Sequence, residues 1–199
     1  MSAHPQPLTI GVRGSGAGKD AAADYLCAAL EARGLKPRRE RFATPLRECI
    51  EVVTGVPVAV SETAEGKRRE IPGWGMTVGR MLQRLGTDAV RERFHNDAWV
   101  LALFRRFGPR ELVVISDVRF PNEEKAIRER GGVVLNIVRG GPAAVGATAE
   151  ALAGRDPDHS SERALDEVPA DHTIGNSGTL DDLRTAVNEL VWMLYGTPA

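Results

Sequence analysis

The sequence predicts an α/β fold, a parallel central sheet with helices on its faces. Three observations carry that expectation. The short apolar run Leu8-Thr9-Ile10-Gly11-Val12 ends in glycines and gives way at Lys19 to helical spacing. A second run, Leu112-Val113-Val114-Ile115, has no polar residue until Ser116-Asp117, as a strand buried between two helix layers requires. A third, Val133–Val138, returns after one helical stretch, and strands that alternate with helices build a parallel sheet.

In chain order, the first strand is 8–12. Gly14-Ser15-Gly16-Ala17-Gly18 cannot extend it, because so much glycine favours a loop with unusual dihedrals. From Lys19, residues Ala22, Ala23, Leu26, Ala29 and Leu30 share one helical face, and Gly34 offers the stop. Residues 38–42 read as a second, more polar strand and 45–53 as a helix. Residues 61–75, charged and then glycine-rich, read as a mobile loop. Residues 78–85 and 88–107 read as helices interrupted near Gly86-Thr87. Their apolar faces are Met81, Leu82 and Leu85, then Val90, Phe94, Val100, Leu101 and Phe104. After the 112–115 strand, Asn122 is placed to cap a helix, with Glu123 and Glu124 near the positive end of its dipole. Residues 140–158, full of Gly, Ala and Pro, read as a flap. A short helix at 160–166, a strand at 172–174 and a last helix from 180 to about 195 complete the chain.

A length of 199 residues suits one sizeable domain, alone or with a small lid. With 42% hydrophobic and 27% charged residues the composition is globular, which excludes wholesale disorder. Lys+Arg at 26 against Asp+Glu at 27 leaves a net charge of -1, which argues against a protein that coats nucleic acid. The longest apolar stretches, such as 52–61, fall far short of the roughly 20 residues of a membrane helix. The start, Met1-Ser2-Ala3-His4-Pro5, has no secretory character. Cys27 and Cys49 stand in no metal or CxxC spacing, as in a reduced interior. The expectation is a cytoplasmic protein with no membrane and no nucleic-acid polymer as partner.

Chemistry concentrates in three places. The first is strand, glycine loop, Lys19, helix. A phosphate needs backbone N–H groups that converge on it, and glycines let the backbone come close. Lys19 adds a mobile charge for β- and γ-phosphates. The signature G-x-x-x-x-G-K-[ST] is met in part: Arg13 holds the leading glycine position, and Asp20 follows the lysine. The plainer alternative is a Gly-rich turn that caps a helix. The second place is the apolar strand ending in Asp117, an acid suited to Mg²⁺ beside phosphates, although many strands end in Asp merely to cap a helix. The third is basic: Arg80, Arg84, Arg91, Arg119 and Arg139 stand near element ends, where phosphoryl transfer wants cations and where solvated helix faces also put them. Arg119, two residues after Asp117, is the strongest of these. His159 with Ser161 and Glu162 suggests acid/base chemistry, against a simpler helix cap.

Several segments occur together in a recognisable order. They are Gly16-Ala17-Gly18-Lys19-Asp20, Phe42-Ala43-Thr44-Pro45-Leu46-Arg47, Leu82 through Asp88 with Trp99-Val100, and Asp117-Val118-Arg119-Phe120-Pro121-Asn122-Glu123. Gly131-Gly132 with Arg139, His159-Ser160-Ser161-Glu162, and Asp171 through Asn176 to Leu180 follow. Taken together they resemble the phage-type deoxynucleoside monophosphate kinases, a branch of the P-loop kinases. The likeness runs over most of the chain, and Asp after the loop lysine is that family's form. Ala21 departs from it, standing where Thr or Ser is usual.

The resemblance implies one P-loop kinase domain over 1–199. It would be a three-layer sandwich with a helical substrate-binding region at about 54–107 and a lid at about 140–166. It implies ATP-dependent phosphorylation of a 2′-deoxynucleoside 5′-monophosphate, with Mg²⁺, in the host cytoplasm of a phage-infected cell. A homodimer would fit the family. Arg13, Gly14, Ser15, Gly16, Ala17, Gly18, Lys19, Asp20, Ala21 and Asn176 are implied for ATP, with Lys19, Asp117 and Arg119 catalytic and Asp20 and Asp117 for the metal. Arg47, Gln83, Arg84, Asp88, Trp99, Arg119 and Glu123 are implied for the monophosphate, and Arg139, His159 and Glu162 for the lid. Two alternatives stand beside this reading. One is a kinase of another small phosphorylated metabolite, similar to the animal phosphomevalonate kinases, which share the Gly-Lys-Asp loop. The other is a nucleotide-binding regulatory module without turnover. Trp99 and residues 82–88 favour a nucleotide, since an aromatic and an amide can stack on and read a base.

Overall fold

The computed structural model describes residues 6–14, 16–139 and 169–196. Among them the strands are β1 (Thr9–Arg13), β2 (Arg38–Glu40), β3 (Glu70–Ile71), β4 (Met76–Thr77), β5 (Val113–Ile115), β6 (Val133–Val138) and β7 (His172–Gly175). Five form one sheet in the order β2-β5-β1-β6-β7, every pair parallel, while β3 and β4 make a small antiparallel hairpin. The helices are α1 (Lys19–Glu31), α2 (Ala43–Thr54), α3 (Val58–Glu62), α4 (Ala64–Arg68), α5 (Val78–Gln83), α6 (Ala98–Phe104), α7 (Pro121–Glu129) and α8 (Leu180–Tyr195).

Alternation along the strands sorts the core into layers. Ile10, Val12, Leu135 and Ile137 point to one face, where Ala22, Ala23, Leu26 and Leu30 of α1 and Leu183, Val187 and Val191 of α8 cover them. Val113, Ile115 and Val134 point to the other face, against Leu103 of α6 and Ile127 of α7. Each such Val, Leu or Ile side chain, fully buried, stabilises the fold by about 1.5–3 kcal/mol. Gly11 lets α7 come close: a Cβ there would lie 2.5 Å from Ile127 Cδ1. A separate cluster, with Leu46, Ile50, Val78, Met81 and Trp99 at its centre, holds the helical region that starts where β2 ends.

The expected sheet, α1, α7 and α8 are present within a few residues of their expected bounds. Residues 61–75 differ from expectation. They fold as the end of α3, α4 and the β3–β4 hairpin, because local polar contacts fix them. Ser61 Oγ donates to Val58 O at 2.7 Å, and Thr63 Oγ1 accepts the Gly66 N–H at 2.9 Å. Gly86-Thr87 does not interrupt the chain either. There α5 passes into a π-helical segment, Arg84–Arg91, and the break comes later, before α6. That break gives α6 its own buried face of Trp99, Val100 and Leu103, so Leu101 and Phe94 are turned outward, the latter 83% exposed. Asn122 is not the cap of α7. Phe120 holds that position, the Glu123 carboxylate serves its N–H, and Asn122 Nδ2 instead donates to Asp97 Oδ1 at 2.8 Å. The expected flap at 140–158, lid at 140–166 and helix at 160–166 lie outside the described residues, as do Ser15, His159 and Glu162. No helix among the described residues is long and apolar enough to cross a membrane.

At the end of β1 a buried ion pair joins sheet to helix: Arg13 Nη1 meets Glu124 Oε1 of α7 at 2.5 Å, and Arg128 holds Glu124 Oε2 at 3.0 Å. Removing one partner strands the other, so Arg13→Ala is expected to cost about 3 kcal/mol of stability in equilibrium denaturation. A loss below about 1 kcal/mol, the range of an exposed pair, would contradict that role.

Candidate active site

The loop after β1 takes a form that glycine alone adopts easily. Gly14, Gly16 and Gly18 have φ of 134°, 61° and 83°. A Cβ on Gly14 would lie 2.3 Å from the Ile137 carbonyl oxygen, and one on Gly18 would lie 2.6 Å from Asn176 Nδ2. Asn176, just past β7, donates to Ala17 O at 2.9 Å and so fastens the loop from behind. Gly18 is the N-cap of the 13-residue α1. Unpaired N–H groups at such a terminus, with the helix dipole behind them, suit an anion.

Lys19 Nζ rests 2.6 Å from Asp20 Oδ2, with Arg39 and Arg41 at 3.4 and 3.5 Å from the other oxygen. Burial pushes the Asp20 carboxyl up, but Lys19, Arg41 and Arg39 outweigh it and hold the group below the ordinary carboxylate value. Beside this loop opens a cleft of about 910 Å³, open solvent included. Lys19, Arg41, Arg47, Lys67, Arg91 and Arg119 line it, with Asp20, Glu62, Asp117 and Glu123 among them. Leu46, Leu82 and Trp99 supply an apolar wall, with Gln83 and Thr87 in it. Small-molecule sites share that pattern of an apolar surface with a few converging polar groups.

Two of the acids hold backbone. Asp117, past the end of β5, accepts the N–H groups of Phe42 at 2.7 Å and Ala43 at 3.0 Å, and thereby caps α2 from a distant strand. Glu123 accepts from Arg119 N at 2.7 Å and Phe120 N at 3.1 Å and also pairs with Arg91. Burial pushes Glu123 up to about 7, against the pull of Arg91 and the two backbone donors. The Arg91 guanidinium lies 4.0 Å from the Phe120 ring centroid. Arg47, on α2, is buried. Its Nη1 donates to Ser61 O at 2.6 Å, while its Nε is buried with no partner among the described residues. Burial lowers its basicity and Asp117 partly restores it. Trp99 Nε1 donates to Gly86 O at 2.8 Å and braces the π-helical segment.

The cleft thus gathers Lys19, Asp20, Arg47, Gln83, Trp99, Asp117, Arg119 and Glu123, from segments far apart in sequence. Other expected residues stand off it. Arg13 turns its guanidinium inward to Glu124, Ala21 packs partly into the core, and Asn176 braces the loop. Arg84, Asp88 and Arg139 are not among the lining residues, and Arg84 and Arg139 are exposed. Sequence reasoning missed Arg41, Glu62 and Lys67. Arg41 carried a usable signal, since it directly follows a sheet strand, and open α/β sheets bind ligands beyond the carboxyl ends of their strands. Among the described residues, no three acid, histidine or cysteine side chains gather as a metal cage.

The sequence model of the deoxynucleotide monophosphate kinase family matches residues 70–187. The chain belongs to that family. The match takes in Gln83, Trp99, Asp117, Arg119 and Glu123 but starts beyond the glycine loop, whose reading rests on its own geometry. A protein of Acanthamoeba polyphaga mimivirus, provisionally named a deoxynucleotide monophosphate kinase, is 30% identical over 191 residues, spanning 87% of this chain and 90% of that one. A solved structure of a mutant APS kinase from Mycobacterium tuberculosis is more distantly similar, with 15% identity and a TM-score of 0.43, over 94% of this chain and 99% of that one.

Because Asp117 uses both oxygens on the start of α2, Asp117→Asn is expected to cost about 1–2 kcal/mol of stability, the usual range for a lost helix cap. Denaturant unfolding measures this. A variant as stable as the parent would show that the cap contributes nothing.

Proposed function

We propose that this chain transfers the γ-phosphoryl group of ATP to a 2′-deoxynucleoside 5′-monophosphate. The observation that carries the reading is the placement of a glycine loop with Lys19 at one wall of a cleft whose other walls hold Arg47, Arg119 and the Trp99 surface. Family membership supports the acceptor class. A viral relative is consistent with a phage-encoded enzyme that works in its host's cytoplasm.

In this reading the loop N–H groups from Gly14 to Asp20 hold the donor's β- and γ-phosphates. Lys19 leaves Asp20 and follows the transferring group. An oxygen of the acceptor phosphate bonds to the γ-phosphorus as the bond from that phosphorus to the bridging oxygen of ADP breaks. The acceptor is already anionic, so the step needs positioning and charge more than a base. Arg119, with its backbone fixed by Glu123, and Arg47, which lines the same cleft, align the acceptor phosphate. Trp99, Leu46 and Leu82 offer the base an apolar face, and Gln83 offers it a polar edge. Asp20, half exposed and ionised, suits Mg²⁺, which takes one or two carboxylates and otherwise phosphate and water oxygens. Asp117 lies on the same cleft and still has lone pairs beyond its two N–H bonds. Bound with the donor, that ion would neutralise charge on the phosphates.

A coupled ADP-release assay with ATP, Mg²⁺ and each of dAMP, dGMP, dCMP and dTMP, their ribose counterparts and phosphomevalonate tests the reading. Turnover is expected on at least one deoxynucleotide. Lys19→Ala is expected to lower kcat by about 10³-fold or more, as loss of a cation on transferring phosphate does, with an unchanged circular dichroism spectrum. Turnover on phosphomevalonate alone, or a Lys19→Ala enzyme near normal, would contradict it.

A further inference from the structure

Arg41 lies where three parts of the cleft meet. It directly follows β2, and its guanidinium reaches across the carboxyl edge of the sheet. Nε is 3.4 Å from Ser116 Oγ, beyond β5. Nη2 is 3.5 Å from Asp20 Oδ1, at the start of α1. Nη1 is 2.6 Å from Glu62 Oε1, at the end of α3. Arg41, Asp20 and Glu62 all line the cleft. The neighbours of the two acids fix its place. Asp20 is also paired to Lys19, and Ser61, next to Glu62, holds Arg47 through its carbonyl. Arg41 therefore stands between the loop lysine on the donor side and Arg47 on the acceptor side.

We propose that Arg41 is the cation shared by the donor and acceptor phosphates, held in the ligand-free chain by two carboxylates that the phosphates displace. The proposal rests on the kinase reading above. Both restraining acids are accessible, Asp20 with 52% and Glu62 with 43% of the side chain exposed, and ion pairs so exposed are weak. A guanidinium with two or more N–H groups aimed into the cleft binds phosphate oxygens in bidentate fashion and more strongly. Arrival of two polyanions on either side of Arg41 thus exchanges its partners, with no proton or covalent bond changed at the arginine. Between the γ-phosphate and the acceptor phosphate, its charge offsets the repulsion that opposes their approach and follows the charge that spreads over the transferring group. The competing account is mechanical: Arg41 fastens α3 to the sheet and nothing more.

The two accounts give opposite results at Glu62. The acceptor is the deoxynucleotide that the wild-type chain phosphorylates best, and the binding probe is that nucleoside joined to adenosine through five phosphates. Arg41→Ala is expected to lower kcat by about 10²-fold or more, the scale for removal of one aligned donor at a developing charge. Added guanidinium ion is expected to restore part of that kcat. By calorimetry, the variant should lose more affinity for the bridged analogue than for ATP or the monophosphate alone. Glu62→Gln releases Arg41 from a competitor and is expected to raise kcat/KM and tighten the analogue. The proposal is overturned if Glu62→Gln loses kcat as Arg41→Ala does, since that is a tether, or if Arg41→Ala keeps its kcat and its affinity for the analogue. A wild-type chain with no turnover on any deoxynucleotide overturns the kinase reading itself. That result is seen before any variant is made.

Discussion

The turn out of β1 is the constraint on which the rest depends. β1 is the middle strand of the sheet, so its exit is crowded on both sides by the ends of β5 and β6. Gly14 passes so close to the Ile137 carbonyl that no side chain fits, and Gly18 packs against the Asn176 side chain. These contacts, with the left-handed backbone at Gly14, Gly16 and Gly18, set where α1 begins and hence where its free N–H groups point. Lys19, Asp20 and the flanking Arg39 and Arg41 follow from that placement. In the proposed reading the phosphate site is made by backbone, and side chains only surround it.

The cleft keeps a high density of charge without leaving it exposed to mutual repulsion. Its cations are interleaved with carboxylates, and the deepest of these acids are spent on the protein's own architecture. Asp117 holds the start of α2, which carries Arg47, and Glu123 holds the backbone of Arg119. The acids therefore position the segments, and the arginines on those segments line the cleft. The acids nearest solvent, Asp20 and Glu62, hold their cations in exposed pairs, which water weakens.

How much of this was legible in the sequence follows from the range of the interactions. The central strands, α1 and α8 are written in local periodicity, and their apolar faces bury as the spacing predicts. The places of the glycine loop and of Asp117 at strand ends were legible because each depends on a few adjacent residues. Residues 61–75 were not, because their order comes from side-chain bonds to nearby backbone and from the steric demand at Gly66, where a Cβ would lie 1.8 Å from Val60 O. The π-helical turn was hidden for a different reason. Its brace is Trp99, 13 residues away from Gly86, and no local pattern announces it. Glu62 and Lys67 reach the cleft only through tertiary folding, as does Phe120, which takes the cap position expected for Asn122.

The central claim is spatial: donor phosphates on the glycine loop, acceptor phosphate on the arginines across the cleft. A crystal structure with a deoxynucleoside monophosphate and a non-hydrolysable ATP analogue tests it most directly. The account predicts the analogue's phosphates on the backbone between Gly14 and Asp20, and the monophosphate's phosphate within hydrogen-bond distance of Arg47 and Arg119, with its base against Trp99. A monophosphate lodged in the glycine loop, or bound outside the cleft with Arg47 and Arg119 untouched, would contradict it.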